Sequence, residues 1–286
     1  MRPRQTLLTL LVALAPLACQ KPAGVPDRQP PALATASARR TAPKFIQAES
    51  TGLVQDFPDD QDIETIIAPK RVEIRATFDL PLCQCPQGLF RGRSGEENLM
   101  GYWVTDVMRA RAAKLLAKPV KFALTNSGGL RGNLAPGLVK VADIYGVMPF
   151  ENELVTLEMT GQDVMDAVKQ GIWHRGDEPS SGVKVVMSGT VEKPVYAMTW
   201  EDGSAIHPEE IVTAATTDYL AGGGDSIPAL KKGRHLFTTG LSIRQILLDA
   251  CGELAKAKQP LVPPALGRHI IPHELYQAAR DKKLGK

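Results

Sequence analysis

The stretch ALTNSGGLRGNLAPGLVKVADIYGVMPF, residues 123–150, decides how the rest of the chain is read. The apolar run PVKFALTN, residues 119–126, enters as a buried strand and breaks at the paired glycines Gly128 and Gly129. Such a pair lets the backbone turn sharply and lets a ligand approach main-chain N–H groups. Arg131 can fork onto phosphate or sugar oxygens, and Asn126 can both donate and accept toward a base edge. No lysine followed by serine or threonine closes the turn, so it is not a phosphate loop of the GxxxxGK[ST] kind. An ordinary turn explains the same residues equally well. Further on, Asp143 is placed to start a short helix that Pro149 must end, with the aromatic Phe150 directly after it.

A second stretch, YLAGGGD at residues 219–225, again combines an aromatic ring, glycine backbone and a polar side chain. The consecutive glycines Gly222, Gly223 and Gly224 cost considerable chain entropy, which points to close backbone approach. Asp225 carries a carboxylate suited to bridging two ribose hydroxyls. Phe150 and Tyr219 can clamp a flat base between them, each ring contributing about 1–3 kcal/mol of stacking. Spacing alone equally allows Phe150 to be core and Tyr219 merely half-buried.

The bulk properties bound the rest. With 286 residues and 43% hydrophobic content, the chain has material for one large domain or two small ones. The formal charge of +3 is too small to suggest a nucleic-acid partner, and no stretch interleaves lysine, arginine and aromatic residues. Arg2 and Arg4 precede TLLTLLVALAPLA, an export signal too short to span a bilayer as a mature helix. It stops at Cys19 and resembles a bacterial lipoprotein signal, in which Cys19 would become the acylated N-terminus. Pro16 departs from the usual motif, and a plain secretory peptide cut near Ala18 is the alternative. The expected organisation is a signal over 1–18, a proline- and alanine-rich tether over 19–43, a folded domain over 44–254 and a C-terminal arm over 255–286. An exported, lipid-anchored, cell-envelope protein is the expected localisation. Cys83 and Cys85 are too close to bond each other without strain. One of them pairing with Cys251, a zinc site, and buried free thiols are the three readings of these cysteines.

Hydrophobic spacing predicts a helix from Asp60 to Ala68 that Pro69 ends or kinks, and a long helix from Glu97 to Leu116. Glu153–Met159 alternates as a strand, and Thr160 is an N-cap for the helix GQDVMDAVKQGI. Strands are expected over Ser181–Ser188, Val195–Trp200 and Glu210–Ala215, and a closing helix over Leu236–Leu248. The segment LVPPALGRHIIPHELYQ after Pro260 is broken by prolines. Helices and strands mix without strict βαβ regularity, so a layered α+β domain is expected rather than a doubly wound one.

NSGGLR, then VMPFENELVTLEMTGQDVMDAV, then SSGVKVVMSG and finally VTAATTDYLAGGGD stand in the order and approximate spacing of the 5′-nucleotidase C-terminal domain. The chain resembles that family from about Asp60 to Leu248. The resemblance implies a layered α/β/β/α domain with mixed sheets that binds the nucleotide. By position Phe150 and Tyr219 resemble the aromatic pair that sandwiches the base. Asn126 and Arg131, with Gly128 and Gly129, resemble the polar turn. Asp225, beside Gly223 and Gly224, resembles the ribose-binding aspartate. Arg93 resembles a further arginine preceding the first long helix, with Arg91 the weaker contender. Ser226-Ile227 replaces the family's frequent glycine-phenylalanine, which bears on base preference.

In that family hydrolysis belongs to a separate metallophosphoesterase domain, whose Asp-x-His, Gly-Asn-His and His-x-His elements hold two metals that activate water. The five histidines here, His174, His207, His235, His269 and His273, fall in none of these elements. Only about forty residues precede the recognisable domain, so no catalytic residue, metal or cofactor is expected in this chain; divalent metals would belong to a partner domain. His174, in WHRGDE, is the most ligand-like, against the plainer reading of a surface-loop histidine. Nucleophilic attack by Ser127 lacks a base visible in the sequence. The expectation is a nucleoside- or nucleotide-binding domain without its own hydrolase site. The alternatives are the substrate-binding part of a split 5′-nucleotidase in nucleotide catabolism, with a separate metallophosphoesterase chain, and an envelope scaffold with a non-functional pocket. Family membership implies a hydrolase, so whether this chain is an enzyme stays open.

Overall fold

The computed structural model describes residues 60–92 and 96–285, apart from the side chains of His235 and Leu236. The signal, the tether, Cys19 and Arg93 therefore lie outside the described residues.

Asp60 caps the first helix, α1 (Gln61–Phe78), accepting hydrogen bonds from the N–H groups of Asp62 and Ile63. The helix continues through Pro69, where the sequence predicts a stop or kink. Arg71 donates to both carboxylate oxygens of Glu64, at 2.9 and 2.8 Å, and so fastens the turns on either side of the proline. Strand β1 (Pro81–Cys85) leads to α2 (Leu99–Leu116), which Asn98 caps by accepting the Gly101 N–H at 2.8 Å. Next come β2 (Phe122–Leu124), a 3₁₀ turn at Ser127–Gly129, β3 (Gly137–Lys140) and α3 (Val141–Val147). Strand β4 (Glu153–Thr160) runs into α4 (Gly161–Arg175) through the expected Thr160 cap, here a reciprocal box with Asp163. The remaining strands before the second glycine segment are β5 (Ser180–Ser181), β6 (Val183–Gly189), β7 (Pro194–Trp200) and β8 (Ile211–Thr217). Two short helices, α5 (Asp218–Ala221) and α6 (Pro228–Lys232), flank a 3₁₀ turn at Gly224–Ser226. The chain closes with β9 (Arg234–Ser242), α7 (Ile243–Lys256), β10 (His269–Ile270) and α8 (His273–Arg280).

The central sheet is mixed and five-stranded, in the order β5-β2-β8-β4-β9. β2 and β8 run parallel, while β4 runs antiparallel to both β8 and β9. The sheet is covered on both faces, as the two-residue period of its strands records. Phe122, Leu124, Leu157 and Ala214 enter one core with α4, α8 and the three-stranded sheet β10-β6-β7. Their neighbours Ala123, Leu154 and Ala215 enter the other, with α2, α7 and β1. The expected α+β class with mixed sheets is the observed one.

Two local differences from the sequence expectation matter. Apolar spacing predicts a closing helix from Leu236, but residues 234–242 form an edge strand paired with β4, and the helix begins only at Ile243 behind the cap Ser242. Thr238 and Thr239 suit a pleated surface, and Gly240 has φ +68°, which no α-helix accommodates. The C-terminal segment docks on the domain: β10 pairs parallel with β6, and Leu275, Ala278, Ala279 and Leu284 join the α4 core. No helix among the described residues is long and apolar enough to cross a membrane.

Candidate functional site

The two glycine-rich stretches meet at Asp225. Asn126 follows β2, and its Nδ2 donates to Asp225 Oδ2 at 2.6 Å. A side chain on Gly129 would stand 2.9 Å from Asn126 Oδ1, so this glycine makes room for the amide. Tyr219, on α5, donates its hydroxyl to Asp225 Oδ1 at 3.0 Å and accepts the Asp225 N–H at 3.3 Å. The tyrosine ring lies close against the loop, where a side chain on Gly224 would come within 2.5 Å of it. Gly223 has φ +97°, and Asp225 and Ser226 come after it at φ +48° and +56°. Two successive non-glycine residues in the left-handed region are costly, and such strain concentrates at functional sites. Much of the glycine run is thus explained by Tyr219 and the turn itself. Phe150 is 40% exposed and Tyr219 46% exposed, so neither ring is core. The Arg131 guanidinium stands 5.3 Å from the Phe150 ring centroid.

The last turn of α4 brings an imidazole and a guanidinium to face this cluster. His174 Nε2 lies 3.6 Å and the Arg175 guanidinium 3.8 Å from Asp225 Oδ1. Arg175 Nε is also 3.6 Å from Glu178 Oε1, and the Glu178 carboxyl accepts the Ser127 N–H. Glu178 is only 2% exposed, and burial pushes its carboxyl up to about 8, against the pull of the Ser127 hydrogen bonds. Burial likewise lowers His174; Asp225 opposes this, while Arg175 and Lys282 add to it. His174 is thus no surface-loop residue.

His174, Glu178 and Asp225 place one nitrogen and two carboxylate oxygens within 4.8 Å of one another, a donor set compatible with a divalent ion. The Arg175 guanidinium already stands against both carboxylates and supplies the positive charge that an ion would bring. A second chain of hydrogen bonds runs from Ser180 Oγ to His269 Nε2 at 2.8 Å and from His269 Nδ1 to Asp177 at 2.6 Å. It has the order of a hydrolytic triad, but Ser180 is fully buried in β5, out of reach of any substrate.

A cavity of about 640 Å³ opens beside this cluster, lined by Arg91, Ser127, Gly128, Arg131, His174 and Arg175, and closed by Tyr276, Arg280 and Lys282. Of the expected site residues, Gly128 and Arg131 line the cavity. Asn126, Tyr219 and Asp225 form the hydrogen-bonded cluster, Phe150 joins through Arg131, and Gly129, Gly223 and Gly224 shape the backbone. Arg91, the weaker contender, is in the cavity wall. Sequence reasoning does not assign Arg175, Asp177, Glu178, Tyr276, Arg280 or Lys282 to the site. The charge density of WHRGDE is the available signal for the first three, and the C-terminal residues carry none.

The sequence matches the family described as 5′-nucleotidase, C-terminal domain, over residues 82–232, more than half of the chain, and the protein belongs to that family. Cell wall protein Lmo0130 of Listeria monocytogenes is 32% identical over 149 residues, covering 48% of this chain and 19% of that protein. A 5′-nucleotidase of Vibrio vulnificus is 27% identical over 156 residues, covering 54% of this chain and 28% of that enzyme. The chain therefore spans less than a third of either relative. The crystal structure of a 5′-nucleotidase precursor from Thermus thermophilus superposes with a TM-score of 0.62 at 22% identity, over 74% of this chain and 43% of that one, which establishes the fold.

Proposed function

We propose that this chain binds a nucleoside or nucleotide in the cell envelope, and that the chemistry on that ligand, where it occurs, belongs to another polypeptide. The observation that carries the reading is the joining of two distant sequence stretches at Asp225. Asn126 and Tyr219 orient its carboxylate, Phe150 offers an exposed ring, and Arg131 and Arg175 stand within reach of a phosphate. A carboxylate, an aromatic face and guanidinium groups match the hydroxyls, base and phosphate of a nucleotide. The envelope location is supported by the export signal and by the cell wall relative. Anchoring through an acylated Cys19 is part of the proposal.

A second reading, the substrate-binding part of a split 5′-nucleotidase, is favoured by one observation. The match falls on the C-terminal domain of the family, while none of the five histidines lies in a metallophosphoesterase element. In that arrangement a separate metal-bearing chain would supply the activated water.

Calorimetric titration of the purified chain with AMP, adenosine and inorganic phosphate tests the first reading. Micromolar to sub-millimolar affinity for AMP or adenosine is expected. An absence of heat from all three, with a demonstrably folded protein, would count against an adenine nucleotide as ligand. Hydrolysis of AMP that arises only on mixing with a stand-alone metallophosphoesterase from the same cell would select the split enzyme.

A further inference from the structure

The cavity wall is unusual in where its charge comes from. Arg91, Arg131 and Arg175 belong to the body of the domain, whereas Arg280 and Lys282 come from the C-terminal segment, beyond the 82–232 region that matches the family. Arg91, Arg131, Arg280 and Lys282 have no carboxylate partner among the described residues. The Glu96 and Asp177 carboxylates share this wall, but the cations outnumber them, and an anion would relieve the remaining repulsion.

The segment that delivers Arg280 and Lys282 is held in a built seat. The Glu97 carboxylate accepts the N–H groups of Gly267, Arg268 and His269, and Arg268 forks onto Asp106 at 2.9 and 2.7 Å. His269 is clasped between Ser180 and Asp177, and Asp177 itself lines the cavity. At the end of α4, Gly176 has φ +90°, and a side chain there would come within 2.8 Å of the Tyr276 ring and 2.9 Å of Arg280. The absence of a side chain at Gly176 is what lets Tyr276 and Arg280 lie across the cavity edge. The apolar face of α8 fixes the other side of the segment, with Leu275 and Ala279 in the core.

We propose that the C-terminal segment completes a polyphosphate subsite, so that the ligand carries two or more linked phosphoryl groups. One phosphoryl group is served by the Arg175 guanidinium next to Asp225. Arg280 and Lys282 then supply charge for a continuing phosphate chain, within a cavity large enough to bury it. That the phosphate chain is attached to a nucleoside rests on the proposed nucleotide-binding function; the anion subsite does not.

Inorganic tripolyphosphate titrated into the full protein at low ionic strength is the first probe. It is expected to bind, and Arg280→Gln with Lys282→Gln to weaken it about 10- to 100-fold, the loss expected for charge-assisted hydrogen bonds. Arg280→Lys, which keeps the charge, is expected to retain most of the affinity. No binding to the unchanged protein, or equal binding to the double variant, overturns the proposal. Nucleotides separate the two readings. If tripolyphosphate binds while adenosine and AMP do not, the anion subsite stands and the nucleotide reading falls. If AMP binds and ATP binds no more tightly, the nucleotide reading stands and the subsite falls.

Discussion

Asp225 and Glu178 are both carboxyl groups at the same site, and their surroundings give them different tasks. Asp225 is oriented by Asn126 and Tyr219 and faces the Arg175 guanidinium and the His174 imidazole of α4. Asp225→Ala is expected to weaken adenosine about tenfold or more while leaving free adenine unchanged, as titration of both ligands would show. Equal loss for both would remove the ribose assignment. Glu178 is buried, and its carboxyl is raised to about 8 by desolvation. The unfolded chain ionises this group at an ordinary carboxylate value, so between that value and about 8 the folded state holds a proton that the unfolded state has released. Stability therefore falls as pH rises through this window, and levels off above it. Glu178→Gln, which keeps the shape without the charge, is expected to flatten the decline and raise the melting temperature at high pH. An unchanged pH profile would show that another group carries the dependence.

At the scale of elements, α4 is the lever that carries site residues from the sheet to the cavity. It starts at the Thr160–Asp163 box and ends at Gly176, with His174 and Arg175 in its last turn. Thr160→Ala is expected to cost about 1 kcal/mol of stability, measured by denaturant unfolding. Gly176→Ala should cost more, because it combines a positive φ with a clash against Tyr276 and Arg280. It should also lower the protection of α8 amides from hydrogen exchange. Normal α8 protection in the Ala variant would show that Gly176 does not seat the segment.

Across the whole molecule, the three cysteines gather between β1 and α7. The Cys83 and Cys251 thiols act on each other, which holds the Cys83 thiol down and, together with burial, raises that of Cys251. Of the pairings open in the sequence, oxidation is therefore expected to join Cys83 to Cys251 and leave Cys85 free. Peptide mapping without reductant would show it, and a bridge through Cys85 would contradict it. The link would close a loop of more than about 150 residues, for which about 3–5 kcal/mol of stabilisation is expected. The C-terminal segment matters at the same scale, since ending the chain at Lys258 would uncover the surface that Leu275, Ala278 and Leu284 bury. Such a truncated chain is expected to unfold at lower denaturant than the full one.

Some of this was determined by sequence alone, because it depends on neighbours along the chain. Apolar periodicity marked α2, β4 and β8, the Thr160 cap marked the start of α4, and ordered motifs marked the class of domain and the residues around Asp225. Other features depend on groups far apart in the chain that only packing brings together. Whether residues 234–242 are helix or strand was decided by an open edge on β4, against apolar spacing that also suited a helix. The helix runs on through Pro69, with Glu64 and Arg71 paired across it, a contact that local apolar spacing does not reveal. The cavity was least legible of all: Arg280 and Lys282 carry no local signal of a binding role. They line it because Glu97, Asp106, Asp177 and Ser180 hold the C-terminal segment in place and Gly176 leaves space for Arg280. A charge has a sign in the sequence, but the field it creates depends on which other charges the fold sets beside it.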